Sequence, residues 1–318
     1  MHDAMTVRGP EDPPVIEARL LTRYFGSTPA VRDVDLRVPR GSVFALIGRN
    51  GSGKTTTIRM LLGLLAPTRG SCSILGRSSS RLRPEDRARI GYLAEGHFAH
   101  GWMRVRECAR FQASFFTRWS ARVFDSIAAH FGLDPAARVR SLSRGERAGL
   151  CLALTLAPEP EVLVLDDPAL GLDPVARRSL LEALLAVTRA GDRTVLLSSH
   201  LLDEVERVAD HIAIIDRGIV RVHAPVDTFR ESVGRWVLRF ERAPGRLPRI
   251  PRLVHGRSFE DEVHLTVAHP DGGTEAALAA LGAASIERAP LGLEDAVIDY
   301  LRGPSPGAPL LSEIGGAP

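Results

Sequence analysis

Hydrophobic residues follow two different spacings along this chain, and the spacings alternate from one segment to the next. Short, nearly continuous apolar runs occupy residues 42–47, 162–165 and 194–197. Such runs are typical of strands that are buried on both faces of a parallel sheet. Segments with helical spacing, such as residues 150–157, lie between them. The pattern therefore predicts an α/β fold.

The same spacings predict the other elements of a first domain, which we expect to span residues 15–225. A helical insert at about 96–160 interrupts its α/β pattern. Further strands are predicted at residues 15–23, 34–38, 212–215 and 219–223, and helices at 56–65, from 103 to about 131, and at 202–209.

The chain changes character after residue 225. Half-exposed strands at residues 236–241 and 262–267, a third strand at 284–288, and short helices at 274–281 and 293–301 predict a small α+β domain at 226–302. Residues 1–14 and 303–318 are rich in Pro, Gly or charge, and we expect them to be flexible ends.

Composition narrows the class of protein. The 318 residues are 44% hydrophobic and 25% charged, as in an ordinary globular protein. We see no apolar signal-peptide region and no window of ~18 apolar residues, so any membrane role is expected to be peripheral. The net charge of +3 comes from scattered arginines, which argues against a nucleic-acid partner. Cys72, Cys108 and Cys151 lack CxxC spacing and are predicted to be reduced and buried.

The clearest chemical motif is the segment GRNGSGKTT, which follows the first apolar run and fits the phosphate-binding pattern GxxxxGK[ST]. Glycines allow successive N–H groups to point at phosphate oxygens, and the following helix directs its positive end to them. Lys54 is the only lysine among 41 basic residues. It adds a compact cation, and Thr55 offers a hydroxyl to Mg²⁺. The predicted ligand-binding residues here are Gly48, Arg49, Asn50, Gly51, Ser52, Gly53, Lys54, Thr55 and Thr56.

Acidic and histidine side chains end two of the predicted parallel strands. Asp166 and Asp167 end one strand, and His200 follows another. Ligands of α/β sheets bind outside the carboxyl ends of the strands, so a functional and a structural role are about equally expected for this histidine.

Other candidates have simpler structural readings. Phe25 could stack on a purine base, with Tyr24 as the second choice, although packing is the commoner role of a lone aromatic residue. Ser143 and Glu146 have the spacing of a capping box, and Asp173 is a natural N-cap before Pro174. His97 and His100 are spaced like metal ligands, but without a third ligand we predict that they are solvated loop residues.

The order of these motifs resembles the ATP-binding subunits of ABC transporters over residues 15–223. The resemblance implies a P-loop NTPase fold, with a RecA-like mixed sheet, a β-subdomain and a helical subdomain. It also implies that Lys54, Asp167 and His200 are catalytic, that Thr55, Asp166 and Glu95 hold Mg²⁺, and that Phe25 stacks on adenine. Asp173 and the segment resembling the LSGGQ signature would contact nucleotide across a dimer; the residues of that segment are Ser143, Arg144, Gly145 and Glu146.

Four residues depart from the family pattern. Glu95 stands for a glutamine, Arg144 for a glycine, Glu146 for a glutamine, and Asp167 for the glutamate that polarises water. The first three are compatible with ATP binding, whereas Asp167 bears directly on hydrolysis.

The resemblance implies an ATPase that dimerises around ATP and powers an exporter whose membrane chain is a separate permease. The partner ATPase could be a second copy or a different chain. Such a subunit lies on the cytoplasmic, inner face of the cell membrane. Two alternatives stay open: an ABC-type ATPase without a transport role, as in DNA repair or on ribosomes, and an ATP-binding switch that hardly hydrolyses.

Overall fold

The computed structural model describes residues 5–6, 13–189, 193–200, 202–241, 250–259 and 261–303. The chain divides into two compact units, Met1–His223 and Ala224–Pro318. Of the N-terminal segment that was predicted to be flexible, Met5–Thr6 form a two-residue strand, β1, which pairs with a later strand. Of the predicted flexible ends, residues 1–4, 7–12 and 304–318 lie outside the described residues.

The first unit contains two sheets and seven α-helices among its described residues. Its strands are β1, β2 (Ile16–Phe25), β3 (Thr28–Val38), β4 (Val43–Ile47), β5 (Arg69–Ile74), β6 (Arg77–Ser78), β7 (Ile90–Leu93), β8 (Val162–Asp166), β9 (Thr194–Ser199), β10 (His211–Asp216) and β11 (Ile219–Pro225). Its helices are α1 (Lys54–Leu61), α2 (Pro84–Arg87), α3 (Val105–Ala113), α4 (Ala121–His130), α5 (Arg144–Leu156), α6 (Pro174–Arg189) and α7 (Leu202–Val208).

The larger sheet has the strand order β1-β11-β10-β4-β9-β8-β7. From β10 through β4, β9 and β8 to β7, each strand pairs in parallel with the next. Successive residues of a strand point to opposite faces, and β8 shows the consequence. Leu163 and Leu165 pack in a core with α3, α4 and α5, whereas Val162 and Val164 pack with α1 and the smaller sheet. This double burial explains the continuous apolar runs in the sequence.

The smaller sheet is antiparallel, in the order β3-β2-β5-β6. Together with the helices that follow β7, it gives the predicted combination of a mixed sheet core, a β-subdomain and a helical subdomain. The three cysteines are free and buried, as predicted.

Two predicted helices were wrong in extent. The helix expected at 103–131 is two helices, α3 and α4, because Ser120 starts a new helix. Its hydroxyl accepts a hydrogen bond from the backbone N–H of Val123, and its own N–H donates to the Ala157 carbonyl. The helix after Lys54 ends at Leu61 and not at residue 65, since Gly63 has a left-handed φ of 68° that helices do not continue through.

The second unit is an α+β unit. Its strands are β12 (Val233–Arg239), β13 (Leu253–Phe259), β14 (Glu262–Ala268) and β15 (Ser285–Ala289), and its helices are α8 (Val226–Glu231), α9 (Gly272–Ala279) and α10 (Leu293–Arg302). The antiparallel sheet has the order β13-β14-β12-β15. Trp236, Leu238 and Leu265 lie in its core. The sequence prediction missed α8 and β13.

Candidate functional site

The glycine-rich segment after β4 forms a tight loop that leads directly into α1. Gly51 and Gly53 have φ angles of 77° and 108°, in the region that favours glycine. A Cβ atom on Gly48 would lie 2.4 Å from the carbonyl oxygen of Ile215 and 2.4 Å from Oγ of Ser52. The loop geometry therefore requires glycine at these positions.

Lys54 is the first residue of α1, and its side chain is buried within this loop. Its Nζ donates a hydrogen bond to the Gly48 carbonyl at 2.9 Å and lies 3.4 Å from Oδ2 of Asp167. The buried hydroxyl oxygen of Ser52 has no hydrogen-bond partner among the described residues, whereas Arg49 and Asn50 are exposed. A buried ammonium beside an unsatisfied hydroxyl is suited to bind an anion.

Asp166 is the last residue of β8 and is fully buried. Its Oδ1 accepts hydrogen bonds from Oγ1 of Thr55 at 3.1 Å and from Oγ of Ser198 at 2.8 Å. Its Oδ2 is buried and has no partner within the described chain. Burial raises the pKa of the Asp166 carboxyl, the hydrogen bonds from Ser198 and Thr55 oppose the rise, and nearby Asp167 adds to it.

Asp167 follows with a left-handed φ of 44°, which is uncommon for a residue other than glycine. Its backbone N–H donates to Oγ of Ser198 at 2.8 Å. Its Oδ1 lies 2.9 Å from Nδ1 of His200, and its Oδ2 faces Lys54. The fold thus joins all three residues that the sequence resemblance assigned to catalysis.

The oxygen atoms at this site fit a magnesium ion. Mg²⁺ prefers oxygen ligands and is usually held by one or two carboxylates together with water and phosphate oxygens. Asp166 offers a free carboxylate oxygen, and Thr55 offers a hydroxyl. The described residues contain no group of three or more His, Cys, Asp or Glu side chains that could hold a metal ion. Glu95 is exposed after β7, and its role as a metal ligand stays a prediction.

Comparison with known proteins shows the family of the chain. The family model described as ABC transporter matches residues 31–170. The bacitracin transport ATP-binding protein BcrA of Bacillus licheniformis is 32% identical over 252 residues, which cover 79% of this chain and 82% of the relative. The chain belongs to the ABC transporter family, as an ATP-binding subunit. The Nod factor export ATP-binding protein I of Cupriavidus pinatubonensis is 35% identical over 209 residues, and the aligned part spans 64% of each chain, just under two thirds of the relative's length.

Solved structures confirm the predicted fold. An ATP-binding subunit of an ABC transporter superposes with a TM-score of 0.62 at 29% identity, over 68% of this chain and 92% of the other. The dimeric ATP-binding cassette MJ0796, bound to ADP and Pi, gives a TM-score of 0.59 over 66% of this chain and 98% of the other. At 18% identity, the second similarity concerns the fold alone. Among the described helices of this ABC subunit, none is long and apolar enough to cross a membrane.

The signature-like segment of the ABC subunit caps α5. Glu146 N–H donates to Oγ of Ser143 at 3.1 Å, and Ser143 N–H donates to Oε2 of Glu146 at 2.7 Å. This is the predicted capping box. Gly145 is buried against α6, where a Cβ would lie 2.6 Å from Cβ of Ala176. Ser143 and Arg144 are exposed, so both side chains are accessible to a partner.

Asp173 is exposed and caps α6, as predicted. Its Oδ1 accepts hydrogen bonds from the backbone N–H groups of Val175 at 2.9 Å and Ala176 at 3.0 Å. These bonds, first of all that from Ala176, hold the pKa of the Asp173 carboxyl below its usual value. The side chain therefore has a complete structural role, and a contact with a second subunit stays a prediction.

Phe25 ends β2 with half of its surface exposed, and the guanidinium carbon of Arg23 lies 4.9 Å from its ring centroid. This pairing is a cation–π contact. Tyr24 is half-buried. An exposed ring is free to stack on a base, and the adenine contact of this ABC subunit stays a prediction.

The prediction that His97 is a solvated loop residue was wrong. His97 is 5% exposed, and its Nε2 lies 2.8 Å from the carbonyl oxygen of Pro168. Burial lowers the pKa of His97. The residue fastens the loop after β7 to the loop that follows Asp167. His100 is exposed, as predicted.

Ser198 is the residue of the site that sequence reasoning missed. It lies in a strand that the apolar pattern did identify, and it bridges Asp166 and Asp167. The available signal was a hydroxyl near the carboxyl end of a buried strand, because a buried polar group needs a partner.

Proposed function

We propose that this subunit binds ATP with Mg²⁺ at residues 48–56 and hydrolyses it to power an ABC exporter. The observation that carries the proposal is the meeting of Lys54, Asp166 and Asp167 at the end of the phosphate loop, with one buried carboxylate oxygen left without a partner. A nucleotide phosphate chain with its metal ion provides partners for both the ammonium and the free oxygen.

Each residue of the site has its own role in this proposal. In the ATP-bound state, Lys54 turns from Asp167 to the β- and γ-phosphate oxygens, and the loop amides donate to the same phosphates. Thr55 and Asp166 would hold Mg²⁺, and the ion would supply positive charge beside the phosphoryl group. Release from Lys54 leaves the Asp167 carboxylate free to accept a hydrogen bond from the attacking water, with His200 fixing its other oxygen.

Asp167 makes slow hydrolysis the expected behaviour. Its carboxylate is one methylene, about 1.5 Å, shorter in reach than that of a glutamate. Displacements near 1 Å cost on the order of a hundredfold in a positioned reaction. The contacts with Lys54 and His200 draw the carboxylate towards the loop and favour a second candidate, a switch that binds ATP and rarely turns it over.

The active form in this proposal is a dimer with ATP at the interface. The exposed Ser143 and Arg144 of one subunit, at the start of the 13-residue helix α5, would contact the γ-phosphate held by the other. Asp173 would lie at the same interface. The second subunit is either another copy or a different ATPase chain.

The proposed membrane partner is a separate permease chain, which would hold the subunit at the cytoplasmic face of the membrane. The relatives named above act in bacitracin transport and Nod factor export, and we extend an export role to this chain. A group of exposed aromatic residues in the helical subdomain supports such a partner: Phe98, Trp102, Phe111 and Phe115 are 88%, 66%, 44% and 66% exposed. An open cavity of about 300 Å³ lies between Phe98 and Phe111. Contiguous exposed apolar surface commonly marks an interaction site.

Co-purification tests the transport role. A tagged chain is recovered from detergent-solubilised membranes beside two variants, the triple change Phe98→Ala, Trp102→Ala, Phe115→Ala and the control Leu64→Ala, whose leucine is 56% exposed outside this aromatic group. We expect a polytopic membrane protein with the wild type and with the control, and its loss with the triple variant. Recovery of ribosomal or DNA-repair proteins alone would contradict the transporter role.

A further inference from the structure

Ser198 lies directly opposite Asp166 in the parallel register of β8 and β9. The residue is fully buried. Its hydroxyl makes two hydrogen bonds, donating to Oδ1 of Asp166 at 2.8 Å and accepting from the backbone N–H of Asp167 at 2.8 Å. A hydroxyl has one proton to donate and lone pairs to accept with. Ser198 therefore uses its donor and an acceptor lone pair on two consecutive residues of the site.

Two other buried serines of the same unit, Ser42 and Ser79, have a different kind of partner. The hydroxyl of Ser42 donates to the Pro39 carbonyl at 2.8 Å, and that of Ser79 donates to the Leu61 carbonyl at 2.6 Å. Both bonds satisfy backbone groups in turns or at a helix end. The hydroxyl of Ser198 instead holds a carboxylate and a strained backbone position.

We propose that Ser198 is a positioning residue for Mg²⁺ and for the attacking water. With Thr55, it occupies Oδ1 of Asp166 and leaves Oδ2 as the one carboxylate oxygen free for the metal ion. By accepting the Asp167 N–H, it also stabilises the left-handed φ of 44° that turns the Asp167 side chain towards Lys54 and His200. One hydroxyl therefore fixes the metal ligand and the water-orienting carboxylate together.

This inference rests on the proposed ATPase function. It predicts that a variant without the hydroxyl is impaired in Mg²⁺-dependent binding and hydrolysis but keeps metal-free nucleotide binding. The phosphate loop does not depend on Ser198, so binding of metal-free nucleotide should persist. The contribution of Mg²⁺ to binding and the rate of hydrolysis should both fall, because partners that orient metal ligands typically contribute 10–100-fold to metal affinity or activity.

The test compares Ser198→Ala and Ser198→Thr with Ser42→Ala, which removes a buried, hydrogen-bonded hydroxyl at the opposite end of the sheet. Affinity for a non-hydrolysable ATP analogue is measured with EDTA and across a Mg²⁺ titration, and kcat and KM are measured separately. For Ser198→Ala we expect affinity in EDTA within about twofold of wild type, a Mg²⁺ midpoint raised about tenfold or more, and kcat lowered about 10–100-fold. Ser198→Thr, which restores the hydroxyl, should recover both within a few-fold.

The inference is overturned if Ser198→Ala has the Mg²⁺ midpoint and kcat of Ser42→Ala, or if threonine fails to restore a variant that folds. Thermal unfolding of each variant identifies loss of the fold. If Ser198→Ala does not fold, Ser198→Cys replaces it in the same comparison of Mg²⁺ midpoint and kcat. Cysteine has a similar volume but is only a weak hydrogen-bond donor. A wild-type chain that does not bind ATP would instead refute the proposed function, so the two failures are distinguishable.

Discussion

Two buried aspartates, one in each unit of this protein, differ in how completely their carboxylate oxygens are hydrogen-bonded. Asp299 in α10 is 2% exposed, and its oxygens accept hydrogen bonds from Arg235 at 2.9 Å, Thr266 at 2.6 Å and Arg257 at 3.3 Å. Asp166 in β8 is fully buried, receives only hydroxyl groups on one oxygen, and leaves the other without a partner among the described residues.

The difference separates a structural charge from a functional one. A buried carboxylate is costly unless it is paired and fully hydrogen-bonded. Two guanidinium groups meet that requirement for Asp299. At Asp166 the requirement is left to a ligand, and burial raises the pKa of its carboxyl group. Sites that bind or catalyse commonly retain such unsatisfied groups at a cost in stability.

The largest effect is expected from replacing Lys54, the cation beside the functional carboxylates. Lys54→Ala and Lys54→Arg should both abolish measurable ATP turnover, because a planar guanidinium does not fit the pocket that surrounds the ammonium. Steady-state phosphate release by the purified protein measures this. Arg235→Lys is the matched control on the structural side, and it should retain turnover. Full activity in Lys54→Arg would contradict the proposed role of the loop.

The next largest effect is a loss of stability on replacing Asp299, the structural carboxylate. Asp299→Ala leaves Arg235 and Arg257 without their shared partner and should lower the free energy of unfolding by about 3 kcal/mol. Asp295→Ala removes the half-exposed partner of Arg235 and should cost about 1 kcal/mol or less.

Urea unfolding of the full chain measures both, followed by the fluorescence of Trp236 after Trp102→Phe and Trp119→Phe. Equal losses in the two variants would show that burial does not distinguish these ion pairs.

A smaller effect concerns the reach of Asp167. If the shorter side chain limits hydrolysis, Asp167→Glu should raise kcat several-fold with unchanged nucleotide affinity. Asp167→Asn should accumulate an ATP-bound dimer, visible by size-exclusion chromatography. A fast wild-type rate that falls in Asp167→Glu would show that the site is built around aspartate.

The smallest effect is a gain in stability. The folded-state pKa of Asp166 is raised above its ordinary value of 3.8, so its protonation favours the fold at low pH and that contribution is lost as pH rises through the folded pKa. Asp166→Asn should therefore have a higher melting temperature than wild type at pH 7 without nucleotide, and no such advantage below about pH 3.8.

Addition of ATP and Mg²⁺ at pH 7 should stabilise the wild type more than Asp166→Asn, which keeps the phosphate loop but lacks the carboxylate for the metal ion. A variant that is less stable than wild type at pH 7 would contradict the view that this carboxylate is unsatisfied.

Local sequence patterns were sufficient to predict many elements of this molecule. Apolar runs identified β4, β8 and β9, because strands buried on both faces have few polar positions. The loop at 48–56 was found from its glycines and Lys54, since the turn, the amide cradle and the following helix are all encoded within nine residues. The capping boxes and N-caps, such as Ser143 with Glu146 and Asp173 before α6, also depend on neighbours three residues apart.

Tertiary structure decided everything that joins distant segments. Thr55 meets Asp166 across 111 positions and Asp167 meets His200 across 33, and sheet order alone brings them together. The burial of His97, the break before Ser120 and the bridging role of Ser198 each depend on a partner outside the local window. Periodicity reports which face of an element is apolar; it carries no information about which polar groups lie opposite. The sequence therefore determined the elements and the phosphate loop, and the packing of β8 beside β9 decided how the carboxylates are held.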